Sequence, residues 1–368
     1  VNQEFILGKL ADLMNWDAER ARNEFAWLRL MSRMKYDGYQ DFLAGMRFIE
    51  SLAAWLQQFA AADRETAFRL VRNKLVFVGP AEMQHLVELC YPETVQPRLI
   101  RKVAETLRIP QYRVWADADA THLYKTVLRK TLFIELSDGA RIDVFRRANA
   151  GVINNEQIVN APRINQHKWK ELLEDLRKAN DNPQERFGMV YLVDDFVGSG
   201  TALLRKENGE WKGKLWRFWE DVQRDGVLET HFEPDWTLCV HHYLSSHRAH
   251  ETIRERDAQL RAAMEKANWF QRIEFSHGML LPENFPIRLA DDPDLARLIE
   301  RYYDDFIETS HMKKGGDDAR LGFGRSGLPL VLEHNTPNNA VALLWAETAG
   351  NGGKHAMRPL FRRRQRHV

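Results

Sequence analysis

Val190-Tyr-Leu-Val-Asp-Asp-Phe-Val-Gly-Ser-Gly-Thr201, followed by Ala-Leu-Leu-Arg205, decides how the rest of this chain is read. An apolar run meets two acids, then a loop of small residues, then a segment that predicts the start of a helix. Near-continuous apolar strands belong to parallel sheets covered on both faces, since a half-exposed strand alternates instead. Ligands of such open sheets bind outside the carboxyl ends of the strands, where this order places Asp194 and Asp195. Two carboxylates there can accept hydrogen bonds from vicinal sugar hydroxyls or hold a hydrated Mg²⁺. The loop Gly198, Ser199, Gly200 and Thr201 suits a phosphate. Its backbone N–H groups can converge on an anion, a helix N-terminus adds positive potential, and two hydroxyls can donate. The plain alternative is a strand end with solvated acids and a glycine turn; the order of the four parts favours a site.

Working outward, short apolar runs alternate with helical patterns from Leu75 on. Leu75–Val78, Thr131–Leu136, Met189–Val193, Trp236–Val240 and Leu328–Leu332 read as strands, and Ala340–Trp345 as a last apolar run. Helical stripes run through Met83, Leu86, Val87 and Cys90, through 168–179, and from about Ala249 to Ala267. Ala140–Phe145 follows Ser137-Asp138-Gly139, and Asp-Gly between two apolar runs predicts a β-hairpin. Upstream, Leu10, Leu13, Met14, Ala18, Ala21, Phe25 and Leu28 lie at helical spacing, as do Phe42, Met46, Ile49, Ala53, Leu56 and Phe59. The expectation is an α/β fold: a mainly parallel sheet covered by helices, preceded by an all-helical lobe over 1–72. The domain at 73–368 would carry a hairpin hood at 131–147 and a basic tail.

Composition narrows the class. The chain has 368 residues, enough for two domains, with 44% hydrophobic and 29% charged residues. Lys and Arg number 53 against 52 Asp and Glu, which excludes a generally basic nucleic-acid coat and an acidic tail as the main theme. The two cysteines, Cys90 and Cys239, sit in apolar runs and read as buried thiols of a cytoplasmic protein rather than a disulfide frame. With no apolar run of membrane-spanning length and no signal pattern at the start, the expectation is a protein that engages no membrane.

Asp194-Asp195-Phe-Val-Gly198-Ser199-Gly200-Thr201 resembles the phosphoribosyl-pyrophosphate (PRPP) motif of type I phosphoribosyltransferases. The resemblance implies that Asp194 and Asp195 face the ribose hydroxyls and that the loop wraps the 5′-phosphate. Ser137–Arg147, His334–Asn339, Leu344-Trp345 and Pro359–Arg362 are similar to phosphoribosyltransferase-like proteins of bacterial conflict systems, including effectors encoded beside retron reverse transcriptases. The similarity spans roughly 75–362. Two positions depart from the salvage enzymes: Gly198 stands where purine-salvage members often carry an acid, and Ala202 where the loop usually ends in Thr or Ser.

A transferase of this kind needs a second anion site for pyrophosphate. Gly79, in a strand–loop–helix order, is one candidate against a plain βα turn. Arg146 and Arg147 at the end of the predicted hairpin are the better one, since guanidinium forks suit phosphate oxygens; the alternative is a charged hairpin edge. His241, His242, His247 and His250 lack a convincing metal-ligand spacing and read as surface histidines. Gly322–Gly327 precedes a strand and so fails the context for dinucleotide binding. Arg358, Arg362, Arg363, Arg364 and Arg366 are the one local feature that favours an acidic partner.

Three functions are compatible with these features. The first is an enzyme acting at ribose C1 of PRPP or a nucleotide with Mg²⁺, either a phosphoribosyl transferase or a hydrolase. The second is a non-catalytic PRPP- or nucleotide-binding module. The third is an antiphage effector restrained by a partner, which in a retron would be the reverse transcriptase with its RNA-linked DNA. Homo-oligomer formation is left open.

Overall fold

Alternation along the central strand dictates a sheet buried on both sides. Val190 and Leu192 point to one face with Leu132, Ile134, Leu238 and Val240, while Tyr191 points to the other with Phe133 and Cys239. The computed structural model describes residues 3–43, 45–161, 163–264 and 269–363. Its strands are β1 (Val76–Val78), β2 (Thr131–Glu135), β3 (Ile158–Val159), β4 (Phe187–Val197), β5 (Arg205–Glu207), β6 (Glu210–Lys212), β7 (Phe232–Ser246), β8 (Ile273–Leu281) and β9 (Leu330–Leu332). Five of them form one parallel sheet in the order β3-β2-β4-β7-β8. The expected mixed α/β class with a parallel, helix-covered sheet and N-terminal helices is what the chain forms.

The chain divides into two compact units, Met83–Leu281 and the residues up to Glu82 together with those from Pro282 on. The middle unit holds the five-stranded sheet. On one face the helices Gln166–Ala179, Lys214–Gln223 and His247–Ala263 bury Trp169, Leu172, Leu176, Leu215, Phe218 and Ile253 against it. On the other, Phe145 packs on Phe133 at 4.9 Å, Phe133 stacks on Tyr191 at 5.5 Å, and Arg98 donates to Cys239 Sγ at 3.0 Å. Both cysteines are buried and free, and burial pushes the Cys239 thiol up to about 12.

In the other unit the helices Gln3–Met14, Ala18–Met34 and Phe48–Gln57 bury Leu7, Leu10, Leu28, Leu52 and Trp55 in a core that includes Leu344 and Phe361. Polar contacts join the two ends of the chain: Trp55 Nε1 donates to Leu343 O at 2.9 Å and Ser51 Oγ to Leu360 O at 2.8 Å. The strands expected near Val76 and Leu330 form, as β1 and β9, but they pair with each other outside the larger sheet. Ala342–Trp345 is a short helix. In the tail, Arg362 pairs with Glu347 at 2.8 Å and Arg363 lies over the Trp345 ring; Arg364 and Arg366 lie outside the described residues, as does the end of the helix expected to reach Ala267.

The hairpin expected at 131–147 does not form. β2 is bonded by β3 on one side and β4 on the other, so no antiparallel partner can pair with it. Asp138–Ala140 instead makes a 3₁₀ turn, Arg141 takes a left-handed conformation at φ 47°, and Ile142–Ala148 is a helix. Ile142 and Phe145, three residues apart, are its buried face. Arg146 and Arg147 therefore occupy the last turn of a helix, not a strand end.

Among the described residues no helix is long and apolar enough to cross a membrane.

Candidate functional site

Strand lengths open the crevice. β2 ends at Glu135, in register with Val193, whereas β4 continues to Val197 on β7 alone. The chain leaves β2 for β3 on one side, and β4 then takes the opposite side. The gap beyond Glu135 is thus the topological switch point of the sheet, where ligands of such folds bind. Asp194 and Asp195 line it from β4.

Alternation sends the two acids to opposite faces, and their surroundings differ. Asp194 is 2% exposed. It accepts a hydrogen bond from Ser137 Oγ at 2.5 Å, and the Lys214 ammonium is paired with its other oxygen. Burial raises its pKa, Lys214 opposes that rise, and Asp195 adds to it. Asp195 is half-buried and lies against the backbone of the 3₁₀ turn. A Cβ on Gly139 would stand 2.6 Å from Asp195 Oδ2, so only glycine lets the turn approach this carboxylate.

The turn also brings the arginines of 141–147, expected as an anion site, close to Glu135 and Asn160, which sequence spacing did not flag. Glu135, 6% exposed, is held up at about 7, chiefly by burial; Asp138, Asp194 and Asp143 add to the rise and Arg146 opposes it. Its two oxygens lie 2.6 and 2.7 Å from the Asn160 carboxamide, assigned with its nitrogen toward the carboxylate. Arg141 stands near Asp143 and Asp195, and burial lowers its pKa. Arg146 reaches Ile158 O at 3.5 Å, while Arg147 pairs with Asp143 at 2.9 Å on the exposed side. The structure brings Arg146 to the acids and turns Arg147 to solvent.

The small-residue loop is shaped by the segment after it: the brief helix expected before Asn208-Gly209 does not form, while the one expected over Leu215–Val222 does. Asn208 and Gly209 both have positive φ, 54° and 85°, as a two-residue hairpin turn requires. β5 and β6 therefore form a hairpin after the loop, and the next helix begins only at Lys214. Its first N–H groups bond back to Ala202 and Leu203, the carbonyls next to the loop, which fixes Lys214 beside Asp194. Nothing at 20 residues' separation signals that pairing in the sequence.

Arginines supply the positive charge that a helix end was expected to give. Arg256 donates to Leu204 O at 2.6 Å and to Thr201 Oγ1 at 3.4 Å, and Arg205 to Thr201 O at 3.5 Å. Burial lowers the Arg256 pKa, and the nearby Arg248 and Arg205 lower it further. Ser199 Oγ accepts from Thr201 N at 3.4 Å, and Gly198 O accepts from Ser246 Oγ at 2.6 Å. Gly200 has φ 73°, and a Cβ there would lie 3.0 Å from Ile253 Cγ1 and 3.3 Å from Ala249 O. Gly79 belongs to the other unit, where its N–H donates to Glu82 Oε2 at 2.6 Å; that donor is already engaged.

Two glycine variants test this shape. Gly200→Val should abolish binding of a phosphorylated ligand, because a branched residue is strained at that φ and drives the loop off the helix beneath it. Gly139→Ala should weaken binding about tenfold or more by displacing the Asp195 carboxylate, with a cost in stability of only about 1 kcal/mol. Titration calorimetry with urea unfolding measures both; unchanged affinity in Gly200→Val would remove the loop from the site.

Of the four histidines, His247 and His250 are half-buried on the helix His247–Ala263, but His241 and His242 are not at the surface. His241 and His242 are 0% and 4% exposed, and burial lowers each to about 3. His242 stands in register between Asp194 and His277, and His241 Nδ1 bonds to Ser276 Oγ at 3.0 Å. Among the described residues no cluster of three or more metal-binding side chains occurs. Because both histidines stay neutral in the fold and gain a proton when it opens, stability is full above about 6.5 and is lost as pH falls toward 3. Between those limits the two together should steepen the loss by about 2.7 kcal/mol per pH unit. Urea midpoints from pH 7 to 4 check this, with a His242→Gln variant expected to show a shallower slope.

The parallel sheet with paired acids and a small-residue loop at its switch point is consistent with a phosphoribosyltransferase-like protein. The sequence agrees: the PRTase-CE family model matches residues 52–363, and the chain belongs to that family. No curated protein and no solved structure matches the chain.

Proposed function

We propose that the protein acts at C1 of a ribose 5-phosphate, on PRPP or a nucleotide, through a site of the type I phosphoribosyltransferase kind. The observation that carries this is the convergence, at one switch point, of the half-buried Asp195 with the arginine-flanked loop Gly198–Thr201. Thr201 and the arginines hold the 5′-phosphate, which fixes the sugar relative to β4. Asp195 accepts from the ribose hydroxyls and, with Glu135, faces the positive charge that builds on the sugar as the bond at C1 breaks.

Mg²⁺ fits this site as part of a substrate complex. With Lys214 on Asp194, a cation would rest mostly on substrate phosphates, with Asp195 reaching it through water.

The biological setting we propose is a cytoplasmic antiphage effector, restrained by a partner such as a retron reverse transcriptase with RNA-linked DNA. Support comes from the departures at Gly198 and Ala202 and from the resemblance to conflict-system proteins. Incubation with PRPP or nucleotides and Mg²⁺, following pyrophosphate and free base, tests the chemistry. Binding without turnover would make the chain a sensing module instead. For the setting, expression of the chain alone should slow growth, and Asp195→Ala should relieve it; equal growth would remove the effector role.

A further inference from the structure

Resting on that reading of C1 chemistry, the distribution of charge along the site identifies the substrate more closely. At the loop three arginines gather, Arg248 and Arg205 both near Arg256, with Glu207 bonded to Arg205 at 3.0 Å and Glu255 beside Arg256. That end suits a phosphomonoester. At the other end Glu135, Asp194 and Asp195 line the crevice, with the exposed Asp138 and Asp143 near Glu135 and Arg147 paired with Asp143. Each cation there has an acid beside it: Lys214 on Asp194, Arg146 by Glu135, and Arg141 by Asp143 and Asp195. A departing pyrophosphate would meet more carboxyl groups than uncompensated cations, whereas a base that leaves by accepting a proton would not be repelled.

We infer that the substrate is a nucleoside 5′-monophosphate and that Glu135 gives its proton to the departing base. Glu135 ends β2 at the switch point, and the groups that face it are Asp138 from the turn, Asp143 and Arg146 from the following helix, and Asp194 from β4. Asn160 touches both its oxygens. A carboxamide can face a carboxylate with its nitrogen and a protonated acid with its oxygen, so either protonation state keeps a partner. A carboxyl held near 7 is protonated in about half the molecules at neutral pH, which suits an acid catalyst.

In the reaction the C1–N bond breaks and its electron pair passes to the base nitrogen, which takes the proton from Glu135. Water then adds to C1 and its proton returns to Glu135. One nucleotide and one water give ribose 5-phosphate and the free base.

The test offers the full chain nucleoside 5′-monophosphates, the matching nucleosides, PRPP and 4-nitrophenyl ribose 5-phosphate. Base should be released from the monophosphates, and at least about a hundredfold more slowly from nucleosides, which lack the group the arginines hold. Glu135→Gln should slow base release at least about a hundredfold yet leave nitrophenolate release within a few-fold, because nitrophenolate departs without a proton. Equal slowing of both by Glu135→Gln overturns the acid role. Turnover of PRPP but not of monophosphates overturns the substrate and leaves the C1 reading standing. If none of the four compounds reacts, both fall. The substrate panel uses the parent chain, so it decides even where Glu135→Gln does not fold.

Discussion

Asp195→Ala should unfold at nearly the same urea concentration as the parent chain and yet lose about 3 kcal/mol or more of affinity for a ribose 5-phosphate ligand, at least a hundredfold. The two effects separate because Asp195 is half-buried and the Lys214 ammonium is on its neighbour. Arg141, which stands near Asp195, keeps Asp143. The stability change should therefore stay within about 1 kcal/mol. The binding loss is large because a carboxylate accepting from two hydroxyls makes charge-assisted bonds. Calorimetry with PRPP and with nucleoside monophosphates reads the affinity. Undiminished binding would take Asp195 out of the site, and a fold lost together with binding would make it structural.

The neighbouring acid should behave in the opposite way. Lys214→Met leaves Asp194 buried, with the Ser137 hydroxyl still donating to it but its counter-charge gone, and breaking a buried pair from one side costs about 3–5 kcal/mol. The cost should depend on pH with a definite sign. Asp194 already has its pKa raised above 3.8 by burial, and without Lys214 it rises further. A group raised in the folded state stabilises below its unfolded pKa and loses that contribution as pH increases. Measured against the parent chain at the same pH, the deficit should accordingly be largest at neutral pH and shrink as the pH falls and Asp194 takes up a proton. Adding Asp194→Leu should restore most of the stability, since apolar replacement of both partners removes the stranded charge. Denaturation of the parent, the two single variants and the double variant gives the coupling energy. Costs that simply add would mean that the pair contributes nothing to the fold.

The contrast between these acids shows where the sequence suffices. Val190–Val193 is apolar at every position, and that alone requires a strand covered on both faces and places Asp194-Asp195 near its end. The loop of small residues, the helix around 166–179 and the long strand through Trp236 are equally local in origin. Each rests on residues within one or two turns of one another, where spacing and turn chemistry act directly.

The rest depends on contacts between distant parts of the chain. Asp138-Gly139 carries a good hairpin signal, but β2 already has partners on both sides, so the pairing geometry of the sheet overrides it. Asn208-Gly209 then makes the hairpin that the earlier Asp-Gly did not, and displaces the expected helix. His241 and His242 read as surface groups because they follow the apolar run Trp236–Val240 at an expected strand end; the strand instead continues to Ser246, and pairing with β8 keeps them inside and neutral. Glu135, Lys214, Asn160 and Arg256 come from four segments that no spacing rule connects.

The sequence by itself determined the class of sheet, the position of the acidic pair and the loop beside it, because periodicity and small-residue content are properties of adjacent residues. Only the tertiary structure decided which acid is sealed by a lysine, which remains open to the crevice, and where positive and negative charge collect around it. Those are sums over groups brought together by strand order, and a Coulomb interaction depends on distance in space rather than along the chain.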